Sequence, residues 1–79
     1  MPRARTARTL LSWVFSRKND LVTCKLEQEG DRYRVGLLPH RDLRSAVSHT
    51  FDAGLSAFQS HATLAAELRR RGWMLVAYR

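Results

Sequence analysis

The chain has 79 residues, 44% of them hydrophobic, and a formal net charge of +7. That is enough apolar material for one small packed core, and it argues against a second domain and against global disorder. A single cysteine, Cys24, excludes an internal disulfide and a cysteine-based zinc site and fits a reducing compartment.

The charge is concentrated at one end. Residues 1–19 hold Arg3, Arg5, Arg8, Arg17 and Lys18 and no acid, so most of the excess belongs to the N-terminal segment. Residues 1–9 read as a basic, mobile arm and residues 10–79 as a single α+β domain. No apolar run approaches the roughly 20 residues that a membrane span needs. Leu10 to Phe15 is short and broken by Ser12, so a secretory signal peptide is not expected and a cytoplasmic location is.

Leu10-Leu11-Ser12-Trp13-Val14-Phe15 allows two readings. As a strand it puts Leu11, Trp13 and Phe15 on one face; as a helix its apolar face is too broad. Aromatic and β-branched content favours the strand. After a polar turn at 16–20, Val22, Cys24 and Leu26 alternate with Thr23, Lys25 and Glu27. Glu29-Gly30-Asp31 closes a hairpin, and Tyr33, Val35 and Leu37 share the next inward face. Pro39 and His40 break the pattern. Leu43, Ser45, Val47, His49 and Phe51 share one parity, which predicts a third, edge strand.

The last third organises the rest. Leu55, Phe58, Ala62, Ala65 and Leu68, with Leu64 beside them, recur at three- and four-residue steps and predict the buried stripe of one long helix. Asp52 is the expected cap. Gly72 is the expected left-handed stop, with Trp73 folding back on Leu68. Leu55, Phe58, Leu68, Val22, Leu26, Val35 and Val76 are expected to be buried together. Met74 to Tyr78 reads as a buried strand, inserted in the sheet and parallel to an earlier strand after a right-handed crossover. The predicted fold is a small antiparallel meander of three to four strands, one long C-terminal helix packed on it, and a final short strand.

The segment from His61 through Glu67, Arg69-Arg70-Arg71 and Gly72-Trp73 to Val76 resembles the tail of short uncharacterised bacterial proteins. Those also end in a helix, Gly-Trp and an apolar strand, and often carry a Trp-Val-Phe-like stretch before a β-hairpin, as at Trp13-Val14-Phe15. The resemblance implies a fold and a bacterial setting, with no catalytic or binding residue.

Chemistry is sparse. His40, His49 and His61 lack the spacing of a zinc pair, so a metal site would have to be assembled through space from His49, His61 and Asp52, and ordinary histidines are the stronger reading. Cys24 sits on an inward strand face, where free cysteines act as small hydrophobes. Gly30, Gly36, Gly54 and Gly72 are scattered singly, and Glu27, Glu29 and Asp31 crowd an exposed turn. No catalytic residue, metal or cofactor is therefore expected, and the chain is not expected to be an enzyme.

Two basic features remain. The arm with Arg3, Arg5 and Arg8, followed by Arg17 and Lys18, and the triplet Arg69, Arg70 and Arg71 can pair with phosphates, while an exposed Trp13 can stack on bases. Each has a plainer reading: cations in a last helical turn complement its dipole and pair with Glu67, and sheet aromatics are core. An acid-free, arginine-rich start also fits a transit peptide or a membrane-surface segment, ranked lower. The leading expectation is a non-enzymatic accessory protein binding nucleic acid without sequence readout. The alternative is a protein–protein interaction module or homodimer built through a sheet edge or the outer helix face.

Overall fold

A computed structural model describes residues 7–78. In chain order the elements are β1 (Arg8–Arg17), β2 (Asp20–Glu29), β3 (Arg32–Pro39), β4 (Val47–Phe51), α1 (Gly54–Arg70) and β5 (Met74–Tyr78). The class is α+β, as expected. The five strands form one sheet in the order β4-β3-β2-β1-β5, and every neighbouring pair is antiparallel.

Residues 10–15 are strand. β1 starts at Arg8, so it also takes in the last two residues read as arm. Phe15 is completely buried, with Trp13 packed beside it. Val22, Cys24, Leu26 and Val35 are buried, as strict alternation with one covered face requires. Gly30 turns β2 into β3 at φ 64°, a conformation open to glycine at no steric cost. The strand expected from the shared parity of Leu43 to Phe51 is β4, and it is shorter than that parity implied. The Asp42 side chain accepts from the Arg44 amide at 3.1 Å and winds Leu43–Ser45 into a 3-10 turn, so pairing with β3 begins at Val47.

α1 lies across one face of this sheet: the C-terminal half of the expected stripe, Leu64, Ala65 and Leu68, packs on it as predicted, and the N-terminal half does not. Its buried residues are Ala57, His61, Ala65 and Leu68, with Leu64 packed alongside. Leu55 is 71% exposed and Phe58 45%, and Ala62 faces solvent with them. The reason is distance. The sheet presents Phe15, Leu26 and Val35, and small residues on the helix let its backbone close over them at full packing density. Asp52 does not cap the helix. Ala53 holds the cap position with no side-chain bond, and Asp52 instead lies 3.9 Å from Arg32.

The helix ends as predicted. Gly72 adopts φ 93°, its amide donates to the Arg69 carbonyl at 3.0 Å, and the Trp73 amide donates to the Leu68 carbonyl at 3.0 Å. This closes the last turn with both orphan carbonyls satisfied, and Trp73 packs on the cluster containing Leu68. β5 departs from expectation. It is an edge strand, antiparallel to β1, because α1 carries the chain from the β4 edge to the opposite one, where the free side of β1 is the open position. An irregularity opposite Val14 and Phe15 leaves Val76 out of register and 57% exposed, so it does not join the core.

Candidate interaction surface

The basic residues divide between the two ends of β1. Arg8 opens that strand and Arg17 closes it, about 30 Å apart at the usual strand rise. Arg3 and Arg5, with most of the arm, lie outside the described residues. Lys18 sits in the turn after β1 at φ 56°. The same end of the sheet receives the C-terminus of α1, because Arg17 Nη1 donates to the Arg71 carbonyl at 3.0 Å. Arg17, Lys18 and the triplet Arg69, Arg70 and Arg71 therefore gather there, away from Arg8.

Several of these cations already have partners. The Arg17 guanidinium lies 4.6 Å from the centre of the Trp73 ring, and Arg69 lies 5.9 Å from that of Trp13. Arg70 pairs with Glu67, and Arg71 Nε donates to Glu67 Oε2 at 3.0 Å. Hydrogen bonds from Arg71, then from Arg70, hold the exposed Glu67 carboxyl below its usual range. Trp13 meets His61 edge-on, with ring centres 4.9 Å apart, and packs on the core. Its ring is thus half-buried under the helix rather than free to stack on bases.

The histidines separate too. His49 lies on β4 opposite Val35, His61 is buried under α1, and His40 Nε2 lies 2.7 Å from the Thr23 hydroxyl. Among the described residues, no three His, Cys, Asp or Glu side chains come together to hold a metal ion. Burial pushes the Cys24 thiol up to about 11, which keeps it protonated and a poor nucleophile. No described helix is long and apolar enough to cross a membrane.

No known family, curated protein or solved structure matches the chain. Its surface must therefore speak through chemistry.

Two surfaces stand out. One is the outer face of α1 with Leu55, Phe58 and Ala62, the stripe that periodicity alone marks as core. The other is the β1–β5 edge, where Met74 is 70% and Tyr78 72% exposed. β5 pairs only with Trp13 to Ser16, leaving the outer edge of Arg8 to Ser12 without a strand among the described residues. Beside that uncovered edge runs a groove of roughly 560 Å³ lined by Thr9, Leu10, Ser12, Val14, Lys25, Ala77 and Tyr78. Sequence reasoning missed this groove because it arises from a ten-residue strand meeting a five-residue one. It also missed the buried His61, although its four-residue steps to Ala57 and Ala65 carried the signal.

Proposed function

We propose that the chain is a non-enzymatic protein–protein interaction module that pairs with a second copy of itself through the outer face of α1. The observation that supports this most is the exposed stripe Leu55, Phe58 and Ala62 on a helix already packed on its other side. From Gly54 to Ala66 the helix bears no acidic residue, lysine or arginine, and its one histidine, His61, is buried. Two chains of net charge +7 repel wherever their basic segments approach. An uncharged helix face is where they can meet without that penalty. Ser56, Ala62, Thr63 and Ala66 are small enough for helix axes to approach within about 8–10 Å. A bacterial, cytoplasmic accessory role belongs to the same reading, and the buried free thiol of Cys24 suits a reducing compartment.

Sedimentation velocity over a wide concentration range tests it. The expected result is a monomer–dimer equilibrium that the double substitution Leu55→Asp with Phe58→Asp abolishes while the monomer stays folded and melts cooperatively, at a somewhat lower temperature because Phe58 is only 45% exposed. A wild-type chain that stays monomeric at millimolar concentration would remove this function.

A second reading, non-specific nucleic-acid binding, draws support from the gathering of Arg17, Lys18, Arg69, Arg70 and Arg71 at one end. Fluorescence anisotropy with labelled single- and double-stranded oligomers measures it. On duplex, each phosphate pairing that an alanine substitution removes should flatten the log–log salt dependence by about 0.9. Arg3, Arg5 and Arg8 should contribute separately from the triplet, since Arg8 lies at the other end of β1. Absence of binding at low salt would dismiss it.

A further inference from the structure

We propose that the uncovered outer edge of β1, Arg8 to Ser12, takes up an extended acidic peptide as an added strand continuing the line of β5. Three observations converge on this edge. The first is the vacancy: β1 runs for ten residues, yet β5 covers only Trp13 to Ser16. Alternate backbone groups from Arg8 to Ser12 thus point outward unpaired among the described residues, a row that an extended chain can satisfy at one residue per roughly 3.3 Å. The uncovered edge is about five residues long.

The second observation is the groove beside that edge. Thr9, Ser12, Val14 and Ala77 are small or slender, and Lys25 stands in register with Ser12. Alternation in an added strand would send one set of side chains over this groove and the other toward the face carrying Leu11 and Trp13. The site therefore favours alternating acidic and apolar residues.

The third is charge. Glu27, the acid nearest the groove, is held by Lys25 at 3.4 Å and Arg34 at 3.6 Å, two cations to one carboxylate. Arg8 stands at the far end of the edge, and no acid occurs between it and Asp20 along β1 and its turn. A basic surround on a strand edge selects an anionic extended partner and disfavours a second copy of this basic chain.

The proposal does not depend on self-pairing through α1, which involves the opposite flank of the fold. Its test uses the full-length, isotope-labelled chain, at a concentration where sedimentation shows monomer, titrated with a blocked peptide of alternating valine and glutamate. Amide shifts should concentrate at Arg8 to Ser12, Ala77 and Tyr78. Lys25→Gln should weaken binding by up to about fivefold, the scale of one exposed charge pair. The same peptide N-methylated at every second residue should lose binding, because its charge is intact but its strand edge is blocked. Equal binding by the N-methylated peptide would reduce the effect to bulk attraction and overturn the proposal. So would equal binding by glutamine or lysine counterparts, shifts elsewhere, no shifts, or the same residues responding to a thymidine oligomer. None of these outcomes touches the α1 dimer, which sedimentation alone decides.

Discussion

His61 of α1 donates its Nε2 hydrogen to the main-chain carbonyl of Cys24 in β2 across 3.1 Å. A carbonyl can only accept, so the bond fixes the ring as the Nε2–H tautomer. It is a buried polar tie between helix and sheet, and Trp13 closes over it edge-on.

That tie makes stability depend on pH. Burial lowers the His61 pKa, and the bond to Cys24 opposes the shift only in part. The unfolded chain therefore binds a proton that the fold resists. Stability should be full above the ordinary imidazole value of 6.5 and should fall as pH drops below it, levelling once the lowered folded value is passed. Thermal melts from neutral to mildly acidic pH should show that loss, and His61→Gln should flatten it while His40→Gln should not. A wild-type curve identical to that of His61→Gln would refute the assignment.

The helix register can be read by paired substitutions. Phe15→Ala should cost about 3–5 kcal/mol, because the ring is completely buried, and a domain this small could unfold. Phe58→Ala should cost about 1 kcal/mol or less, since nearly half of that residue faces water. Ala65→Leu should destabilise by about 1–3 kcal/mol through overpacking against the sheet. Urea denaturation would rank all three, and a larger loss at Phe58 than at Phe15 would invert the register.

Gly72 closes the helix at φ 93°, where a side chain is opposed by its own backbone. Gly72→Ala should lose about 1–2 kcal/mol, and Gly72→Val more, because the branched carbon crowds positive φ further. Chemical denaturation measures both. Equal stability of all three chains would mean that the backbone relaxes out of this conformation.

Trp13 separates the two roles a strand tryptophan can play. Wedged between His61 and Arg69, its loss should lower stability by about 3 kcal/mol. Affinity for single-stranded oligomers, where present, should change no more than for duplex. A Trp13→Ala protein that melts normally but loses single-strand binding would make the ring a stacking platform instead.

Local chemistry made much of this fold legible. Alternation in β2 and β3 depends only on which residues share a face, Gly30 and Gly72 sit where positive φ is needed, and Trp73 lies one step past the stop. The inward residues Phe15, Val22, Cys24, Leu26 and Val35 follow from strand parity alone. The tertiary structure decided three matters that periodicity cannot see. Hydrophobic spacing marks Leu55, Phe58 and Ala62 as readily as Ala57, Ala65 and Leu68, but a helix lying over Phe15 and Leu26 must approach on its small residues, so volume chose the face. The place of β5 depended on which sheet edge remained open once four strands had paired. The uncovered edge along Arg8 to Ser12 among the described residues arises where two strands of unequal length meet, a relation between distant segments that no local pattern encodes.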